Sequence, residues 1–365
     1  MGTVPSLRVR QVVAVAVVGG CLAAAVVVGY VDSQPSPCCG NERPYVALYH
    51  GPLSRIEAVL ARGDGQSFAA LAQDPLLLRP SVIRAPGKYA YRAQRPLWGY
   101  LAWAGSAGQA ELTGWVLAVL TVLSCAAACA IAGLLLLQRG RSPWWSLVVL
   151  IVGFQTLTEL TPELLAVALL GAGILAWQRD RRVGAVVAFS LAVLTRESML
   201  VAVAALACWD VAHRPERGRD RPRRLALLAV PFLAYSAWIG VLKLRLGDWP
   251  FQHSESRLGL PGVGLVESFE RTSSPLTLVA FVAIGATLCT IAAALARDDV
   301  LTWVVVAFAL FTTTLGPAVW LTTSGLDRTL LPLYLFGAVA AVSALRFHVA
   351  GARLAALNHP AHGDG

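Results

Sequence analysis

Charged residues are scarce in this sequence. Asp, Glu, Lys and Arg make up 14% of its 365 residues, whereas hydrophobic residues make up 56%, and the mean hydropathy is +0.63. A soluble domain of this size would not stay in solution with so little polar surface. The lipid bilayer must therefore be the solvent for most of the chain, and the composition predicts an integral membrane protein.

The sequence also lacks a cysteine framework. Five of the seven Cys lie inside apolar runs, and the adjacent pair Cys38 and Cys39 lies in a polar segment. Neighbouring cysteines can bond only through a strained ring, so two thiols are favoured over a labile disulfide. Because no zinc-ligand spacing is present either, we expect no disulfide framework and no metal site.

Nucleotide-binding and nucleic-acid-binding features are missing as well. No Gly-rich phosphate loop or soluble α/β region is present, so a nucleotide-sugar donor has no obvious site. The net charge is +9, but the Arg residues lie mainly in short segments between apolar runs, as topology determinants do, and nucleic acid is not an expected partner. There is no fixed-period repeat, nor the inverted-repeat signature of transporters.

The apolar runs predict an all-α polytopic membrane protein with about ten transmembrane helices. The first run continues past Cys21 to about 20 residues, which favours an uncleaved span over a lipoprotein signal. Residues 1–350 would form one integral membrane domain, followed by a disordered cytoplasmic tail at 351–365. The predicted spans are 11–30, 111–137, 143–158, 163–177, two within 183–212, 224–243, 276–296, 300–321 and 329–348.

Basic segments set the predicted orientation. Residues 138–142, 178–182 and 214–224 would be cytoplasmic together with both termini, which leaves 31–95 and 245–275 as external loops. The stretch 183–212 lies between two of these segments, so it must cross an even number of times. We expect two helices of about 13 residues, each too short to span the hydrocarbon core, with a break at Thr195-Arg196-Glu197. The abundance of Ala, Val and Arg with few Lys suggests a high-GC bacterium, whose plasma membrane would hold the protein.

The first external loop, 31–95, contains eight basic and five acidic residues. Its apolar residues predict an amphipathic helix on the membrane surface, and a second such helix runs from Ser67 to Gln73. Asp64 stands between the two helices, flanked by Gly63 and Gly65, where the backbone can turn sharply and a ligand can approach closely. The alternative is an ordinary turn in which Asp64 accepts bonds from backbone donors. The apolar residues of the first helix, opposite Arg55 and Arg62, are Leu53, Ile56, Val59 and Leu60.

Two Arg residues and an aromatic side chain lie where this loop enters the next apolar segment. Arg92 and Arg95 follow Tyr91 closely, and Arg is the planar, permanently charged side chain that binds phosphate. The alternative is an interfacial belt in which both Arg side chains reach toward lipid headgroups.

Charged residues also interrupt later apolar segments. An ionisable group inside the bilayer costs about 2.5–3.5 kcal/mol, so Arg196 and Glu197 need a pairing or a functional reason. The two could simply pair with each other. Arg328, in a short external segment, is a weaker candidate for a phosphate ligand.

These features resemble the GT-C class of membrane glycosyltransferases. The resemblance covers the layout of most of the chain and rests on Gly63-Asp64-Gly65, Tyr91-Arg92-x-x-Arg95-Pro96-Leu97, Thr195-Arg196-Glu197 and Asp327-Arg328-x-x-x-Pro332. It implies an active site on the outer face, a polyprenyl-phosphate sugar donor and an essential acidic residue in the first external loop, a role that falls to Asp64. The chain lacks the acidic pair and the C-terminal soluble domain of some members, so metal dependence and peptide acceptors are not implied.

The expected function is an inverting transfer of a hexosyl or pentosyl group to an envelope glycan or lipid acceptor, with Asp64 as general base. The donor phosphate would bind to Arg92, Arg95, Arg196 and Arg328, with Glu197, Glu163 and Tyr91 in support. No cofactor is expected, and a divalent-cation requirement is left open. One alternative is a transporter or flippase for a lipid-linked or envelope precursor, with Arg196 and Glu197 in its path. Another is a non-catalytic envelope assembly protein, which would tolerate Asp64→Asn.

Overall fold

The computed structural model describes residues 4–34, 54–79, 86–213, 220–253, 258–271, 299–321 and 328–343, with isolated positions between 279 and 287. Within these ranges the regular structure is helical apart from one antiparallel bridge, between Leu258 and Leu315, which confirms the all-α prediction. The helices of the first half are α1 (Val4–Ser33), α2 (Arg55–Arg62), α3 (Gly65–Gln73), α4 (Pro86–Ala93), α5 (Pro96–Ser106), α6 (Ala110–Gln138), α7 (Val148–Val152) and α8 (Phe154–Glu159). Those of the second half are α9 (Glu163–Gln178), α10 (Arg182–Thr195), α11 (Met199–His213), α12 (Asp220–Leu246), α13 (Val263–Arg271), α14 (Val300–Thr313), α15 (Pro317–Trp320) and α16 (Arg328–Ser343).

Among the residues that the structure describes, three helices, α1, α6 and α12, are long and apolar enough to cross a membrane. The remaining apolar helices, among them α9, α10, α11, α14 and α16, have 10–17 residues. The membrane character of the chain is therefore supported, whereas the count of about ten crossings and their sidedness remain predictions. The predicted span 276–296 lies largely outside the described residues, and the tail 351–365 lies wholly outside them.

Small residues bring the long helices together. A Cβ atom on Gly19 of α1 would lie 2.6 Å from Cys129 Sγ of α6, so the two backbones can approach this closely only without a side chain there. Close packing at small residues is how helices associate in a bilayer, where lipid competes with apolar side chains. The opposite side of α1 exposes Val13, Val17 and Val28, which suits contact with lipid.

The predicted break at 195–197 is confirmed. Helix α10 ends at Thr195 and α11 begins at Met199, and Arg196 between them has an extended backbone. The two helices contain 14 and 15 residues, which corresponds to a rise of only about 21 Å each. The segment 143–158 is also discontinuous, because a 3-10 turn, α7 and α8 succeed one another around Gly153.

Both helices predicted around Asp64 are present, but α2 does not present its apolar face to the membrane. Ile56, Val59 and Leu60 are buried, and the absent side chain of Gly114 on α6 leaves room for Ile56 and Leu60. The surface-helix prediction is therefore wrong for this face of α2, which packs on protein. The amphipathic pattern alone could not distinguish these two apolar environments. Leu53 lies outside the described residues.

Helix α5 was not predicted as a separate element, and it anchors the loop helices to the bundle. The buried Trp98 donates its indole N–H to the carbonyl oxygen of Leu160 at 3.2 Å, while Gly99 lies directly against Leu71 of α3. Helix α3 is thereby held beside the end of α8.

Candidate functional site

Asp64 lies at the junction of α2 and α3, with its carboxylate directed toward two guanidinium groups. Its Oδ1 atom is 2.5 Å from Arg92 Nη2, and its Oδ2 atom accepts a hydrogen bond of 2.8 Å from Arg328 Nη2. Although Asp64 precedes the first residue of α3, its side chain makes no capping hydrogen bond to that helix. The ordinary-turn interpretation is therefore wrong, since the carboxylate serves side chains and not the local backbone.

The glycines that flank Asp64 have different neighbours. A Cβ atom on Gly65 would lie 2.6 Å from Leu60 Cδ2, which is too close, and 3.2 Å from the carbonyl oxygen of Glu159, which is a tight contact. A Cβ atom on Gly63 would meet Glu159 Oε2 at 3.6 Å, an ordinary contact. We expected these glycines to leave room for a ligand, but Gly65 instead allows the α2–α3 junction to approach the end of α8.

Glu159 is a component of the site that the sequence analysis missed. Its Oε2 atom is 2.7 Å from Arg328 Nη1, so Arg328 joins Glu159 to Asp64. Gln155, one turn earlier on α8, donates to the other carboxylate oxygen of Glu159 at 2.9 Å. The available signal was a carboxylate at the end of an apolar segment, close to the predicted site residue Glu163.

Two further ion pairs surround the break between α10 and α11. Arg95 donates from Nε and Nη2 to the two oxygens of Glu197 at 2.7 and 2.6 Å, a bidentate pair. Arg196 instead pairs with Glu163 and also donates to Thr329 Oγ1 at 3.2 Å. The alternative in which Arg196 and Glu197 pair with each other is therefore wrong.

Tyr91 supports the Arg residues through its ring. The guanidinium carbon atoms of Arg92 and Arg95 lie 5.1 and 5.5 Å from the ring centroid, within the range of cation–π attraction. Trp238 of α12 fixes this region by donating its indole N–H to the carbonyl oxygen of Ala93 at 2.8 Å. The predicted supporting role of Tyr91 has a geometric basis in these contacts.

All eight residues predicted for the site lie in this network, and Glu159 joins them. Among the residues that the structure describes, the network contains four guanidinium groups and four carboxylates, whose formal charges cancel. Burial opposes ionisation of Asp64, but the fields of Arg92, Arg328 and Arg95 outweigh it and hold the pKa of this carboxyl well below its usual range. Asp64 is thus a carboxylate at any pH near neutrality. The charged members are Arg92, Arg95, Arg196 and Arg328 with Asp64, Glu159, Glu163 and Glu197.

The four Arg side chains differ in access. The side chains of Arg92 and Arg328 are 14% and 10% exposed, whereas those of Arg95 and Arg196 are 3% and 7% exposed. Arg92 is thus the most accessible of the four and Arg95 the least, while Arg328 and Arg196 differ little; Arg92 and Arg328 are distinguished by their shared contact with Asp64. Among the described residues, no group of three or more His, Cys, Asp or Glu is arranged to hold a metal ion.

Comparison with known proteins identifies no relative, because no family model, no curated protein and no solved structure matches the chain. The network itself is therefore the basis for any functional assignment.

Proposed function

We propose that the protein is a membrane glycosyltransferase of the GT-C type that transfers a sugar from a polyprenyl-phosphate donor to an envelope glycan or lipid acceptor. One observation carries this proposal: the carboxylate of Asp64 lies against Arg92 and Arg328, so a base and two phosphate ligands share one small site. Several site residues lie at the ends of apolar helices, Glu163 at the start of α9, Arg196 after the end of α10 and Arg328 at the start of α16, which suits a substrate that is itself a lipid.

The proposed reaction is an inverting displacement at the anomeric carbon. The acceptor hydroxyl oxygen forms a bond to this carbon while the bond to the phosphate oxygen breaks, and the hydroxyl proton passes to Asp64. The phosphate leaves with one additional negative charge. Arg92 and Arg328 would stabilise that charge, and electrostatic stabilisation of this kind usually contributes most to the rate enhancement of such reactions.

The proposed setting is the outer face of the plasma membrane, with about ten crossings and both termini in the cytoplasm. The basic segments between apolar runs support this orientation, and Asp64 then lies in the first external loop. No cofactor is needed for the proposed displacement. The assay described below is run with and without a divalent cation to test whether one is required.

The alternatives have less support. The transporter interpretation rested on the charged residues Arg196 and Glu197 inside an apolar segment. Each of them has an ion-pair partner, Glu163 for Arg196 and Arg95 for Glu197, which accounts for its position without a translocation path. The assembly-protein interpretation gives no reason for a carboxylate shared by two guanidinium groups at a partly exposed site.

The test is an assay of the purified protein in lipid nanodiscs. A panel of polyprenyl-phosphate sugars is combined with envelope glycan and lipid acceptors, with and without a divalent cation, and product is detected by mass spectrometry. We expect transfer from at least one donor by the native protein and severely reduced transfer by Asp64→Asn. If no lipid-linked sugar is turned over, the enzyme proposal is wrong.

A further inference from the structure

Arg92 differs from the other guanidinium groups of the network in its carboxylate partners. Arg95 has Glu197, Arg196 has Glu163 and Arg328 has Glu159, and each of these carboxylates belongs to the helical bundle. Within the described part of the chain, the carboxylate that contacts Arg92 is that of Asp64, which Arg92 shares with Arg328.

The charge balance restricts how an anion can bind. The described members of the network are four guanidinium groups and four carboxylates, so an added anion would give this partly buried group of residues excess negative charge. A like charge at such a site is costly. A donor phosphodiester carries a single negative charge, so the number of anionic groups on Arg92 and Arg328 stays the same if it replaces one carboxylate there.

Geometry indicates which carboxylate is replaced. Asp64 directs one oxygen to each of two guanidinium groups, at 2.5 and 2.8 Å, and two phosphate oxygens can occupy the same positions. We propose that Asp64 holds the phosphate position of the ligand-free site, and that the donor phosphate displaces it from Arg92 and Arg328. This inference rests on the proposed function, and it gives binding of the donor a second consequence, because the displaced Asp64 becomes available as a base.

Glu159 acts as a positioning residue in this exchange. It contacts Arg328 through Nη1, whereas Asp64 contacts the same side chain through Nη2. Arg328 therefore keeps one carboxylate partner when Asp64 leaves, and its Nη2 group stays directed at the incoming phosphate. Gln155 holds Glu159 in turn through a hydrogen bond of 2.9 Å.

Direct binding measurements test the exchange. Polyprenyl phosphate is titrated into the protein in nanodiscs of neutral lipid at about pH 5, where a phosphate monoester carries mainly one negative charge, as the donor phosphodiester does. Inorganic phosphate is titrated in parallel, which separates recognition of a lipid phosphate from recognition of any phosphate. We expect Asp64→Asn to bind polyprenyl phosphate at least about tenfold more tightly than the native protein, because the competing carboxylate is gone.

Glu159→Gln is the comparison variant, since it removes one negative charge from the same network without vacating the phosphate position, and it also removes the partner that positions Arg328. Because the second effect opposes the first, we expect it not to tighten binding of polyprenyl phosphate. The surface variant Asp32→Asn should leave the affinity unchanged, since Asp32 pairs with the exposed Arg55. Equal tightening by Asp64→Asn and Glu159→Gln would indicate a general charge effect and overturn the exchange. Unchanged or weaker binding by Asp64→Asn would overturn it too.

The two proposals fail separately. Tighter phosphate binding by Asp64→Asn without sugar transfer by the native protein would leave the exchange standing and remove the glycosyltransferase. Sugar transfer by the native protein without tighter binding by Asp64→Asn would support the glycosyltransferase and overturn the exchange.

Discussion

Asp64 accepts a hydrogen bond of 2.8 Å from Arg328, although the two residues are separated by 264 positions in the sequence. This contact joins the junction of α2 and α3 to the start of α16 and links Asp64, through Arg328, to Glu159. We therefore expect changes to this pairing to alter turnover, the pH dependence of activity and the stability of the fold.

The first prediction concerns Asp64 as a base. Asp64→Asn keeps the shape of the side chain but removes the proton acceptor, so turnover should fall by about 10²–10⁴-fold, the usual contribution of such a base. The measurement is kcat for sugar transfer by purified protein, with thermal unfolding recorded alongside. If Asp64→Asn kept full activity, a group other than Asp64 would have to accept the proton of the attacking hydroxyl.

The second prediction separates the Arg residues that contact ligand from those that hold the fold. Arg92→Lys keeps the charge but loses the planar fork, so the donor KM should rise with little change in Tm. Glu197→Gln instead leaves Arg95 buried without its partner, which costs about 3–5 kcal/mol for a buried pair and should lower Tm. Kinetics and thermal unfolding are measured for both variants. A lowered Tm for Arg92→Lys, together with a raised donor KM and an unchanged Tm for Glu197→Gln, would contradict this division.

The third prediction is a difference between two pH profiles. Asp64 acts as a base only when ionised, so activity is lost as the pH falls through its pKa. In the free protein Arg92, Arg328 and Arg95 hold that pKa well below its usual range, so kcat/KM for the donor should stay level down to about pH 5.

In the donor complex the phosphate has replaced Asp64 at two guanidinium groups, so the pKa of Asp64 should rise. The acid limb of kcat should then appear at a higher pH than that of kcat/KM. Acid limbs at the same pH in both profiles would show that donor binding does not alter the surroundings of Asp64.

The fourth prediction compares the glycines beside Asp64. Gly65→Ala introduces a Cβ atom 2.6 Å from Leu60 Cδ2, and such overpacking costs about 1–3 kcal/mol and should displace the α2–α3 junction from Glu159. Gly63→Ala is the control, because its Cβ atom has an ordinary contact distance and its φ of −123° suits alanine. Tm and turnover should fall for Gly65→Ala alone, and equal effects would be inconsistent with this packing.

The fifth prediction tests the membrane orientation by cysteine labelling in a background without other cysteines. Leu78→Cys is a suitable reporter of segment 31–95, which we propose to be external, because Leu78 is exposed, whereas Ser67 in the same segment is buried. A membrane-impermeant maleimide should label Leu78→Cys in intact cells and Arg179→Cys only after permeabilisation. The reverse pattern would invert the proposed map.

The sequence predicted the chemical members of the site but not their partners. Asp64, Arg92 and Arg95 stand out as charged groups beside apolar segments, and the cost of charge in a bilayer drew attention to Arg196 and Glu197. Which carboxylate meets which guanidinium depends on how α8, α9 and α16 pack together, and no local pattern contains that information. Adjacent residues suggested a pair between Arg196 and Glu197, yet packing directs the first to Glu163 and the second to Arg95.

Local patterns also predicted the presence of a helix more reliably than the surface against which that helix packs. The spacing of Ile56, Val59 and Leu60 predicted an amphipathic helix, which is present, but an apolar face serves equally well against lipid or against another helix. Gly114 on α6 favours packing of α2 on protein, since a Cβ atom there would lie only 3.1 Å from Ile56 Cγ1.

The distribution of the network along the chain has a consequence for biosynthesis. Asp64, Arg92 and Arg95 leave the ribosome early, while Arg328 is translated after most of the apolar segments. Until then Glu159 lacks this partner, and Asp64 has one guanidinium partner where the finished protein has two. Translation of α16 therefore completes the ion-pair network, so a nascent chain inserted only as far as α14 would hold an incomplete cluster of charges.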